Sequence, residues 1–371
     1  MTARTKLFIC CATGLALAAP SAAQAATKTV SLGPPGSAQA QIPKATAPGA
    51  GFDVNAFFPG AITVRVGDTV SFAVGGFHTV HFPAKGKFSP SQLPTPAVNG
   101  LVDAAGVPFW FNGRQSANFN PLLFTSKFGK KTLTYSGAKE ALSGLPAFGP
   151  KGPPKPLTIK FTKAGLFNYI CDVHPGMRGT VRVNAKRKGA PSAAADAKRV
   201  KAQVARAIAV MKGLEKATTP GANTVSVGAE GRDGVTLFGM LPADLSVPAG
   251  TTVTFKMPTG STENHTATFG PGAEGFGTEN GPAKGTYVGD IAANFSDKGD
   301  ARADFPSEAP GTPPVGLSPL LHGNGFWNTG VLDAVAASPL PPNGTVTFTT
   351  PGVYAYGCLI HTNMKGTITV T

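Results

Sequence analysis

Apolar positions along this chain come in short strand-like runs rich in Val, Thr and Phe, each cut by Gly or Pro. GDTVSF (67–72), GTTVTF (250–255), GTVRV (179–183) and GTITV (366–370) are examples. Such runs predict an all-β protein. One stretch departs from the pattern. Between 185 and 216, Val200, Val204, Ile208, Met211 and Leu214 recur at three- and four-residue steps with Lys and Arg between them. That spacing predicts an amphipathic basic helix over 192–216, with Ser192 as its N-cap. At 1.5 Å per residue it would reach about 37 Å and hold the units on either side of it far apart unless they fold back.

The strand-like runs repeat. FTKAGLFNYIC (161–171) resembles FTTPGVYAYGC (348–358), and NPLLF (120–124) resembles SPLLH (318–322). Cys171, His174 and Met177 map onto Cys358, His361 and Met364 at a constant offset of 187, and His78 maps onto His265 at the same offset. A repeat this long implies duplicated domains rather than a solenoid. The expected organisation is a leader over 1–25, domain 1 over 26–184, a basic helical linker over 185–216 and domain 2 over 217–371.

Composition sharpens this picture. The 371 residues are rich in Gly (47) and Pro (34), 42% are apolar and only 14% are charged. Arg4 and Lys6, an apolar run from Leu7 to Ala19 and the small residues ending at Ala25 have the order of a secretory signal peptide. The run is short for a membrane span, and no later stretch reads as one. A periplasmic, otherwise extracytoplasmic, or secreted protein is expected. Removing the leader leaves Cys171 and Cys358. A disulfide between them is the ordinary expectation for an exported protein. Their matching places in the two halves favour two separate metal thiolates instead. Net charge is +11 over 26–184, +7 over 185–216 and −6 over 217–371. The basic residues are not interleaved with stacking aromatics in a recognised motif, which argues against a nucleic-acid partner. Opposite charges on the halves would steer partners, or the domains toward each other.

Two imidazoles, a thiolate and a thioether are soft to borderline ligands. His, His and Cys with a weak axial Met describe an electron-transfer copper site. Zinc is the alternative, though structural zinc sites favour sets without methionine. Cys171 ends one strand, and the turn PGMRG leads into the next, so Cys171, His174 and Met177 can surround one ion while His78 arrives from a distant strand end. His81 competes with His78. On an extended strand the two point to opposite faces, and Thr268 replaces His81 in the second half.

These residues resemble the cupredoxins, the blue-copper family that includes plastocyanin and amicyanin. The Cys-x-x-His-x-x-Met loop and HTVHF (78–82) are similar to amicyanin's. The resemblance implies two tandem cupredoxin-like Greek-key β-sandwiches with long loop insertions and a helical linker. It implies two type 1 copper ions cycling between Cu(I) and Cu(II), one held by His78, Cys171, His174 and Met177, the other by His265, Cys358, His361 and Met364. It also implies an exposed edge of His174 or His361 as the electron's exit. Thr79 and Thr266 are candidates to support the ligands. The likeness fails in the insertions, which hold FWFNG (109–113), HGNGFWNTG (322–330) and an acidic cluster from Glu274 to Glu308 without calcium-loop spacing.

Copper enzymes need further copper centres. Of six histidines four belong to the two sets, leaving His81 and His322, too few for a trinuclear cluster. Four protein ligands also leave no open position for substrate. The expectation is therefore a non-enzymatic electron-transfer protein that docks weakly and transiently with redox partner proteins, its oligomeric state open. The alternatives are an extracytoplasmic copper storage or delivery protein, and a structural protein with vestigial sites.

Overall fold

A computed structural model describes residues 25–97, 115–148, 152–269, 315–317, 327–336, 338, 340–358, 360–361 and 363–371. Residues 1–24 of the leader, FWFNG, the acidic cluster and His322 lie outside the described residues.

Each half is a β-sandwich. In the first, one sheet runs Phe57–Phe58, Thr27–Leu32, Thr69–Val74, Leu157–Phe161, Leu133–Tyr135. The facing sheet runs Ala141–Leu142, His81–Phe82, Gly165–Ile170, Arg178–Asn184, Ala61–Arg65. The strands bury every second residue, as in Ala61–Arg65 and Leu157–Phe161, because side chains alternate across a pleated strand. The inward residues meet in one core, with Val30 and Phe72 from one sheet and Phe82, Tyr169 and Val181 from the other.

The second half repeats the plan. One sheet runs Gly51–Val54, Val235–Leu241, Thr224–Glu230, Thr251–Lys256, Asn343–Phe348, Val315–Leu317. The other runs Asp244–Val247, Lys365–Val370, Gly352–Gly357, Thr268–Phe269, Trp327–Asn328. A central ring pair recurs in both cores. Phe82 stacks on Tyr169 with centroids 4.7 Å apart, and Phe269 on Tyr356 at 4.8 Å. A Cβ on Gly179 would fall 2.2 Å from the Tyr169 ring, and one on Gly366 2.4 Å from the Tyr356 ring, so the bare backbone of each glycine admits its tyrosine.

Gly51–Val54 sits inside the span expected for domain 1 but pairs antiparallel with Val235–Phe238 on the second half's sheet. The expected helix is present over Ala193–Ala217, and the Ser192 hydroxyl accepts from the Ala195 N–H at 3.2 Å. Val204 and Met211 are buried, with Val200, Ile208 and Leu214 partly so, against Phe58 of the first half and Val235 of the second. Lys28 pairs with Asp196 at 2.6 Å, and Gln203 donates to the Phe57 carbonyl at 2.8 Å. The helix thus straps the halves together rather than holding them apart. No helix among the described residues is long and apolar enough to cross a membrane.

Candidate metal centres

Each centre combines a tight turn with a distant loop. The Cys171 N–H donates to the Met177 carbonyl and the Met177 N–H to the His174 carbonyl, both at 3.1 Å. Gly176, at φ 96°, permits that turn. Cys358, Met364 and His361 repeat both bonds, at 3.1 and 2.9 Å. His78 comes from the loop ahead of His81–Phe82, and His265 from the short strand Asn264–His265, paired with Leu332–Asp333, ahead of Thr268–Phe269. The donor atoms of His78, Cys171 and His174 lie within 4.8 Å of one another, as do those of His265, Cys358 and His361. Nδ1 of His78 and of His174 are 2.9 Å apart, and Nδ1 of His265 and of His361 are 3.0 Å apart. Cys171 Sγ is 3.5 Å from His174 Nδ1, and Cys358 Sγ is 3.9 Å from His265 Nδ1. Met177 and Met364 are buried beside them. Cys171 and Cys358 are free thiols, so the disulfide expectation fails.

Burial prepares these donors. It lowers His78 to about 3 and His361 to about 4, and holds His174 and His265 well below the usual imidazole range. All four rings are therefore neutral and offer a lone pair. Burial pushes the Cys171 thiol up to about 11 and raises Cys358 too. Such thiols keep their protons until a cation takes their place. Two neutral nitrogens and a sulfur converging this closely fit one ion, with bonds of about 2.0 Å to nitrogen and 2.3 Å to sulfur.

Thr79 and Thr266 support the sulfurs through their backbone, each N–H donating to the cysteine Sγ at 3.4 Å. His81 is turned away from the first centre. Its Nδ1 is 2.7 Å from Asp172 and its Nε2 2.5 Å from Glu140. The same Asp172 carboxylate accepts from the Thr79 hydroxyl at 2.8 Å. Thr268, in the place of His81, instead bonds Thr266 at 3.0 Å.

Sequence reasoning missed two supports. Gly33 and Gly228, at φ 85° and 87°, each put an added Cβ 3.1 Å from Nε2 of His78 and His265 respectively. The signal was TVSLG (29–33) beside TVSVG (224–228), at an offset of 195 rather than 187. Ser143 and Thr329 clasp the residue after each ligand-bearing His-Thr pair. Their hydroxyls accept from Val80 and Ala267 N–H at 2.8 and 3.0 Å, and their N–H groups donate to the same residues' carbonyls at 2.9 and 3.0 Å. Each precedes a glycine, Gly144 and Gly330, in the left-handed region.

Of the two ligand edges expected to be exposed, that of His174 is buried and that of His361 is partly open, its side chain 22% exposed. The two centres face each other. His174 Nε2 is 3.4 Å from one oxygen of Glu263 and His361 Nε2 3.6 Å from the other. His174 is 9% exposed and Glu263 5%. Asp53, Phe77, Val173, Phe238, Asn264 and Ile360 complete a cavity of about 160 Å³ around these three residues. Phe238 stacks on the His361 ring, centroids 4.4 Å apart. Asn55 Nδ2 donates to Glu263 at 2.6 Å and to the Thr262 hydroxyl at 3.0 Å. Burial, and then the nearby Glu230 and Asp53 charges, raise Glu263 to about 8 against the opposing Asn55 bond. The two groups are close because the halves fold back over the helix.

No protein-family model matches the chain, and no curated protein does. Among solved structures it is similar to oxidised plastocyanin from Dryopteris crassirhizoma, at 23% identity over 40% of this chain and 99% of that one, TM-score 0.20. It is similar to a Cu(I) mutant of amicyanin, at 14% identity over 43% and 90%, TM-score 0.22. Auracyanin A, a "blue" copper protein from Chloroflexus aurantiacus, shares 16% identity over 40% and 96%, TM-score 0.22. Likeness at these scores carries no argument by itself.

Proposed function

We propose that this chain is an exported electron-transfer protein that binds two copper ions in type 1 sites, and that it is not an enzyme. The observation that carries the reading is the doubled donor set, in which His78, Cys171 and His174, and again His265, Cys358 and His361, aim two Nδ1 atoms and a sulfur at one point. Met177 and Met364, buried on the same turns, would be the weak axial ligands.

Bound copper would supply a one-electron Cu(I)/Cu(II) couple. The chain's part is to hold the donors still. The turn bonds fix Cys171 and Cys358, the glycines behind His78 and His265 fix ring position, and Thr79 and Thr266 donate to sulfur. With ligands on every side, neither centre offers a position to substrate. On this reading domain 1 spans 26–184 and lends Gly51–Val54 to domain 2 (217–371), across the linker 185–216, after removal of a leader over 1–25. Contacts with redox partners would be weak and transient.

The test is a copper count with visible absorption and electron spin resonance, on the wild type, Cys171→Ser and Cys358→Ser. Two coppers, with half the blue thiolate band lost in each variant, support the reading. Bound copper without a blue band, or copper that dissociates readily, moves the reading to storage or delivery.

A further inference from the structure

We propose that Glu263 joins the two copper centres into one redox unit, its carboxylate linking the imidazoles of His174 and His361, so that centre 1 exchanges electrons with the outside through centre 2. This rests on the copper reading above.

The argument begins with which nitrogen faces where. In both centres Nδ1 points inward, so the outward Nε2 of His174 and of His361 would carry the ring proton once a metal takes Nδ1. A carboxyl group has two oxygens, so one side chain can face two such rings at once. Glu263 stands there, a different oxygen facing each ring at 3.4 and 3.6 Å. An amide at this place would have to turn its NH₂ toward one of the two donors.

The repeat provides one such carboxylate, not two. At the offset of 187 the counterpart of Glu263 is Gly76. Any side chain there would start 2.7 Å from His78 Nε2. Two facing carboxylates would also repel in a buried cavity. Glu263 shares the cavity with Asp53 and is held by Asn55, which lies in the first-half segment that reaches across to the second domain. Phe77 and Val173 from one half, Phe238 and Ile360 from the other, wall the cavity and limit water between the rings.

The two ends of the link are unequal. The His174 side chain is 11% exposed and that of His361 22%. Both outward edges face Glu263, and the second centre keeps the more open one. One electron entering at His361 would pass across Glu263 to the first centre, leaving the second ready for another. Each transfer oxidises one centre as it reduces the other and moves no bond.

The experiment uses the doubly copper-loaded full chain. Dipolar coupling between the two Cu(II) spins reports their separation. Reduction by substoichiometric hexaammineruthenium(II) is followed by stopped-flow absorbance, with the potentials of both centres measured alongside. In the wild type, strong dipolar coupling and a redistribution phase independent of protein concentration are expected. In Glu263→Gln, with the dipolar distance unchanged, that phase should slow about tenfold or more, and the potentials of both centres should shift although the residue belongs to one domain. Glu263→Asp, which keeps the carboxyl group but is too short to face both rings, should shift one potential more than the other. In Cys358→Ser, reduction of centre 1 by the same reagent should slow. Weak coupling, a redistribution rate that scales with protein concentration, or unchanged rate and potentials in Glu263→Gln would overturn the proposal. So would a lengthened distance in that variant, because the carboxylate is then a clamp between domains rather than the link. Absence of the blue bands in the wild type and both cysteine variants would instead defeat the copper reading itself.

Discussion

Gly76→Ala tests how rigidly the fold seats a ligand. The added Cβ would lie 2.7 Å from Nε2 and 2.9 Å from Cδ2 of His78, whereas ordinary contact begins near 3.4 Å. The ring must therefore yield by about 0.7 Å at Nε2. It has little room to do so. His78 is fully buried, and on its far side Nδ1 already sits 2.9 Å from Nδ1 of His174. The shift falls on the donor cluster. Overpacking of this kind costs about 1–3 kcal/mol, and misplacing a metal ligand lowers affinity by about 10–100-fold. Copper affinity of each centre can be read by competition with a Cu(I) chelator, alongside thermal unfolding of the metal-free chain. The second centre is the internal control, since Glu263 replaces Gly76 there. A first-centre affinity equal to wild type, with stability unchanged within about 0.5 kcal/mol, would refute the claim that His78 is locked from behind.

Other outcomes follow from the same structure. The Tyr169 and Tyr356 hydroxyls are buried without a partner, so Tyr169→Phe should leave stability unchanged or raise it by about 1 kcal/mol in chemical denaturation. Each site should release about one proton, from its thiol, on taking up Zn(II), because the histidines are already neutral; calorimetry in buffers of different ionisation heat checks this, and release of two or more would refute it. His81 is disfavoured as a cation by burial, but Asp172 and Glu140 outweigh that and raise it above the ordinary imidazole value of 6.5. Its folded value exceeds its unfolded one, so its contribution is complete below about 6.5 and fades as pH rises through the folded value. His81→Gln should accordingly cost most near pH 5.5 and least above pH 9 in thermal melts of the metal-free chain.

The centres were legible because their chemistry is local. Cys, His and Met at three-residue steps sit on one tight turn wherever that turn occurs, and the repetition at 187 tied each turn to its own distant histidine. The choice of His78 over His81 rested on alternation along one strand, but His78 lies in the loop before the strand His81–Phe82, and what turns His81 away is its place between two carboxylates. The linker helix declared itself by its period, which reports a buried face. What that face is buried against is a different matter. Val204 and Met211 pack on Phe58 and Val235 together, and so the helix that could have separated the centres brings them face to face. The pairing of Gly51–Val54 with the second sheet, and the approach of Glu263 to His174 of the other half, join residues far apart in the chain that share no period or motif. Periodicity encodes which side of an element seeks a core, and motif spacing encodes which donors share a turn. Neither encodes how two finished sandwiches dock, because docking depends on surfaces that exist only once both have folded. Sequence alone therefore determined two matching donor sets, and tertiary structure decided that they meet across one carboxylate.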